Sequence, residues 1–127
     1  MSRKMIIMAC TLAFLLVLSL LEQTIVLRIT DTALENARGV IADIREGELK
    51  EAMKKSREMD ISWDEQAVWL EMMVDHKSTD EVRYAFSRLL AALEQEDSAT
   101  AMVYACELEG AIEHVYERQA LTIENII

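Results

Sequence analysis

The chain has 127 residues, 13 basic and 23 acidic side chains, a net charge of −10, 52% hydrophobic residues, three glycines and no proline. Nucleic acid is excluded as a ligand: neutralising phosphates takes clustered Lys and Arg, yet past Arg88 the only basic residue is Arg118, against eight carboxylates. A sheet protein is excluded too. Gly/Pro/Asn punctuation and β-branched alternation are missing, and the abundant Ala, Leu, Met, Glu and Lys are good helix formers, so the expected fold class is all-α.

Met5 to Leu21 form an uninterrupted apolar run with Arg3 and Lys4 directly in front. A helix rises ~1.5 Å per residue and needs roughly 20 residues to cross a hydrocarbon core of ~30 Å. The run is a little short, so the helix is expected to continue through Glu22 and Gln23 near the headgroups. Cleaved signal peptides have shorter apolar regions, ~7–15 residues, that end in small side chains. Here the exit reads Ser19-Leu20-Leu21-Glu22, and Cys10 stands too early for a lipoprotein cysteine. An uncleaved anchor over residues 1–22 is therefore expected, with a helical domain over residues 23–127. By the positive-inside rule, Arg3 and Lys4 keep the N-terminus in the cytoplasm and put the domain outside a cell membrane crossed once. Only four residues precede the run, so no cytoplasmic output domain is expected, which argues against a one-pass signalling receptor.

Without Arg3 and Lys4 the remainder holds 11 basic and 23 acidic residues, about −12, a charge that suits a solvated surface and is repelled by anionic headgroups. Cys10 lies in the anchor and Cys106 far along the domain, whereas a disulfide needs Cα atoms within ~7 Å. A free Cys106 is expected to be a small buried apolar group.

After the anchor, Ile25, Ile29, Ala33, Ala37, Val40/Ile41 and Ile44 make one helical stripe. The membrane helix is expected to run on into it as one rod, although Thr32 and Glu35 form a capping box that would start a separate helix. Gly47 marks a turn. A second helix should run from near Glu48 to about Asp75, with Asp60-Ile61-Ser62 as a candidate break because Ser62 and Glu65 form another cap. Its later half, Ala67 to Val74, is apolar on most sides and should be covered by more than one neighbour. Ser78 and Glu81 form a third capping box, leading into Val82, Phe86, Leu89 and Leu93. A turn at Glu96-Asp97-Ser98 opens the last helix, with the stripe Ala101, Ala105, Leu108, Ile112 and Val115. The apolar tail, Leu121 to Ile127, is expected to fold back on the bundle. At an offset of 49, Ile44 to Met53 align with Leu93 to Met102, and Val40/Ile41 with Leu89/Leu90. The pattern points to two helical hairpins packed as a bundle of about four helices.

Catalytic and metal sets fail on spacing. Three residues before His76 stands Met73 and three before His114 stands Ala111, so the Glu-x-x-His motif of di-iron bundles is absent. There is no His-Glu-x-x-His or Cys-x-x-Cys pattern, and the isolated glycines cannot build a phosphate loop. No cofactor, metal site or enzymatic activity is expected. Glu109, Glu113 and Glu117 recur every four residues and line one helix face, where a cation or basic partner would relieve their repulsion. Trp63 and Trp69, six apart, fall on different sides of a helix: one for the core, the other for a partner or the membrane interface. With Met72 and Met73 they make the candidate partner-binding set.

A basic-then-apolar start, Trp63 and Trp69 before Asp75-His76-Lys77, the Val82, Phe86-Ser87-Arg88-Leu89 stripe and the closing Ile123-Glu124-Asn125-Ile126 together resemble domain of unknown function family 4363. The family comprises short single-anchor proteins of spore-forming bacteria. The resemblance implies a membrane-anchored helical domain with no assigned activity, whose relatives accompany other small membrane proteins around sporulation. It supplies no catalytic residues. The expected function is that of a non-enzymatic interaction or accessory module for another membrane protein; the alternative is an extracytoplasmic domain that binds a small ligand or cation.

Overall fold

The computed structural model describes the backbone of residues 2–73 and 76–126, and the side chains of these except 73 and 119–126. Among the described residues there are four helices and no strand: α1 Arg3–Arg45, α2 Leu49–Met73, α3 His76–Glu94 and α4 Ser98–Ile126. Each helix packs on its neighbours in the order α1, α2, α3, α4 and back to α1, an up-down-up-down bundle.

α1 is one 43-residue rod, ~65 Å long at the usual helical rise. Ser2 caps it, its hydroxyl accepting from the Met5 N–H at 3.3 Å. The Thr32/Glu35 box starts nothing, because no proline or turn residue stops the helix before it. The hydroxyls of Thr24 and Thr30 instead donate back to the carbonyls of Leu20 and Val26, at 2.8 and 3.0 Å, and so sit inside a helix without an unmet polar group. The two halves of the rod have different surroundings. An 18-residue window near its N-terminus has a mean hydropathy of 2.4 and no buried residue, long and apolar enough to cross a membrane. The C-terminal half is a bundle helix.

Both hairpins turn the same way. At the end of α1, Glu48 N–H donates to Asp43 C=O at 2.8 Å and Gly47 N–H to Ile44 C=O at 3.1 Å, with Gly47 at φ 80°. At the end of α3, Asp97 N–H donates to Ala92 C=O at 3.1 Å and Glu96 N–H to Leu93 C=O at 3.0 Å, with Glu96 at φ 54°. These are paired Schellman closures. The residues that correspond at an offset of 49 hold the same station in each turn. Asp97 then caps α4: Thr100 N–H donates to its Oδ1 at 3.1 Å and Thr100 Oγ1 to its Oδ2 at 2.7 Å. These bonds favour the carboxylate and hold its pKa below the ordinary value.

The core is a single cluster in which Phe86, Leu70, Leu89, Leu108 and Ile112 are completely buried. Burial of such side chains contributes about 1.5–3 kcal/mol each. The stripes read for α3 and α4 are its walls. Several details differ from the sequence expectation. On α1 the buried line is Gln23, Val26, Thr30, Leu34 and Ala37, while Ile25 is exposed and Ile29 and Ala33 are half-buried. The self-bonded hydroxyl of Thr30 makes that shift possible. α2 passes unbroken through Asp60-Ile61-Ser62. α3 begins at His76, so Ser78 and Thr79 lie buried in its first turn, with Thr79 Oγ1 donating to His76 C=O at 3.0 Å. Cys106 is exposed, on the outward side of α4 from Ala105 and Leu108. For the apolar tail only the backbone is described: it stays helical to Ile126, and its side chains, with those of Met73, Val74 and Asp75, lie outside the described residues.

Candidate functional site

The two tryptophans of α2 part company. Trp63 is 2% exposed and Trp69 63% exposed. A helix turns ~100° per residue, so six residues leave the rings ~120° apart around the axis, and α2 is covered only along its inner side. Trp63 follows Ala52, Met59, Ala67 and Leu70 into the core. Its Nε1 is buried without a hydrogen-bond acceptor among the described residues. Trp69 lies with Val68 and Met72 on the outer side, Met72 at 77% exposure, and no described side chain covers the three. The partner-binding set is therefore divided: Trp63 inside, Trp69 and Met72 together outside, and Met73 beyond the described side chains. The expectation that the later half of α2 would be covered by several neighbours fails for Val68, Trp69 and Met72.

The acidic face of α4 is partly neutralised by a residue that spacing did not single out. Arg38 on α1 reaches across, with Nε 3.4 Å from Glu109 Oε2 and Nη2 3.5 Å from Glu113 Oε1. Glu117 is exposed and makes no ion pair among the described residues. Among the described residues no three His, Cys, Asp or Glu side chains gather in a way that could hold a metal ion. His76 stands with Nδ1 3.8 Å from Glu71 Oε2, and His114 is exposed.

A cavity of ≈ 240 Å³ opens between α1 and α2, lined by Arg28, Thr32, Asn36, Met59, Trp63 and Gln66 among others. Arg28 makes no ion pair among the described residues. Apart from Trp63, nothing in the spacing marked these residues as one set, because only the packing of α1 against α2 decides which of their side chains meet. A second hollow, ≈ 370 Å³, lies between α3 and α4 beside Tyr84, Arg88, Glu107 and His114. Asp60, on the rim of α2, has its pKa raised, first by burial and then by the Asp64 carboxylate nearby. No nucleophile stands beside a base in either hollow. What the surface offers is apolar contact on α2 and charge on α4.

A family model described as a domain of unknown function (DUF4363) matches residues 20–126. The match starts where the apolar run ends and covers the whole bundle. No curated protein and no solved structure matches the chain.

Proposed function

The chain belongs to the DUF4363 family, a domain without an assigned activity, and from its geometry we propose a non-enzymatic, membrane-anchored accessory or interaction module for another membrane protein. One observation carries the proposal: the apolar half of α1 has no buried residue in its 18-residue window among the described residues, while the other half of the same helix is part of the bundle core. A helix without a break transmits position and tilt between its ends. In this reading the span lies in the bilayer as one transmembrane helix, Arg3 and Lys4 stay on the cytoplasmic side, and the bundle stands rigidly on the outer surface of the cell membrane. Exposed apolar and charged faces without an accompanying catalytic set support binding rather than chemistry.

Two measurements on the native host test this. Alkaline carbonate should leave the chain in the membrane fraction with its N-terminal peptide intact, and a C-terminal tag should be open to protease from outside. Mild-detergent purification should bring down a membrane protein in a fixed ratio. A mature chain that begins beyond Leu21 would end the anchoring part of the proposal, and an intact chain that purifies as a lone monomer would end the accessory part.

A further inference from the structure

We infer that the outer side of α2 nearest the span, Val68, Trp69 and Met72, together with Ile25 of α1, rests in the lipid headgroup layer and fixes how the bundle sits on the bilayer. The inference rests on the anchoring proposed above and adds the surface that meets lipid outside the span.

The antiparallel register supplies the level of these side chains. Gln66 of α2 lines the same cavity as Arg28 and Ile29 of α1, so the two helices are level there. α2 then descends towards the span. Three residues on, Trp69 is level with Ile25 and Val26, which at ~1.5 Å per residue is about 7 Å above Leu21. Met72 comes about 2–3 Å above Leu21 by the same rise, and Val68 about 8 Å.

Membrane dimensions turn those heights into an occupant. The run from Met5 to Leu21 has 17 residues, about 26 Å of helix, against a hydrocarbon core of ~30 Å. With Arg3 and Lys4 held at the far surface, the hydrocarbon boundary lies about 4 Å beyond Leu21, and the headgroup layer reaches another ~5–8 Å. Met72 then lies at the boundary, and Trp69, Val68 and Ile25 lie within the headgroup layer. Their exposures are 77%, 63%, 65% and 49%, so no described side chain covers the four at the level of the headgroups. Tryptophan is the residue enriched at that depth, because its ring is apolar and its N–H stays hydrated. Ile61 is a useful contrast. It is exposed on the same side of α2 but about 20 Å above Leu21 by the same rise, too far out to reach lipid. Arg28, about 10 Å above Leu21 by the same rise, makes no ion pair among the described residues and is placed to meet phosphates.

The test uses the full chain reconstituted in zwitterionic phosphatidylcholine vesicles, with and without bromine high on one acyl chain. The wild type carries two emitters, and Trp69→Phe leaves only the core Trp63. The expected result is blue-shifted emission from Trp69 that bromine quenches at every protein-to-lipid ratio, with the emission that remains in Trp69→Phe unquenched. The double variant Val68→Glu/Met72→Glu should stay helical and lose the blue shift and the quenching. If the inserted chain instead shows red, acrylamide-quenched Trp69 emission that bromine leaves untouched, the face is open to water and the inference is overturned. Blue emission without bromine quenching that fades on dilution in lipid means contact between copies and overturns it too. A chain that carbonate strips from the vesicles overturns the anchoring itself, an outcome separable from the other two.

Discussion

Replacing Trp63 with alanine deletes a ring that is 2% exposed and belongs to the cluster holding Met59, Leu70 and Phe86. Removing an aromatic side chain from a packed core costs about 3–5 kcal/mol, because the lost transfer energy is compounded by the cavity left behind. Trp63→Phe should behave differently. The smaller ring leaves a gap worth about 1 kcal/mol, at ~24 cal/mol per Å³ of cavity. The same change deletes a buried Nε1–H that has no acceptor among the described residues, and such a group costs about 1–3 kcal/mol while it remains. The two effects offset, so Trp63→Phe should fall within about 1 kcal/mol of the wild type. Trp69→Ala, on the uncovered side of the same helix, should change folding stability by no more than about 0.5 kcal/mol. Denaturant unfolding of the full chain in mild detergent, followed by far-UV circular dichroism, gives the three values. A Trp63→Phe cost as large as that of Trp63→Ala would refute the account, since the indole N–H must then be bonded in solution. A Trp69→Ala cost above about 2 kcal/mol would show that its face is covered within the fold.

Three other outcomes are expected. Glu96 holds a left-handed conformation that glycine adopts freely, so Glu96→Gly should stabilise by about 1 kcal/mol, whereas Gly47→Ala at φ 80° should destabilise by a similar amount; equal signs in thermal melts would contradict the paired turns. The Asp97 carboxyl, held low by Thr100, should titrate below the ordinary aspartate in NMR and return towards it in Thr100→Val. Because that pKa is depressed, its contribution to stability is present above the unfolded aspartate pKa and is lost as pH falls through the folded value, so Thr100→Val should flatten the acid limb of the melting curve. Calcium at millimolar levels should leave the melting point unchanged, since Arg38 already meets Glu109 and Glu113; a rise of several degrees would favour a cation site on α4.

Some of this was legible residue by residue. Val82, Phe86, Leu89 and Leu93 on α3, and Ala101, Ala105, Leu108, Ile112 and Val115 on α4, recur at three and four, and all nine are buried. The offset of 49 between Ile44–Met53 and Leu93–Met102 marks two turns with the same closure, although one uses glycine and the other glutamate. On α1 and α2 the sequence was weaker. Ile25 and Val26, or Val68 and Leu70, are alike in chemistry, and only the partners of each helix choose between them. Cys106, expected inside, is exposed for the same reason: a small apolar type is compatible with either side of α4.

Helical content, the uninterrupted apolar run and the number of hairpins follow from local properties, because propensity, periodicity and turn chemistry act over a few residues at a time. That Trp63 faces in while Trp69 faces out, and that Arg38 reaches Glu109 and Glu113, both depend on which helix lies beside which. Burial and ion pairing are set by distances between segments far apart in the chain, and those distances exist only once the four helices have packed.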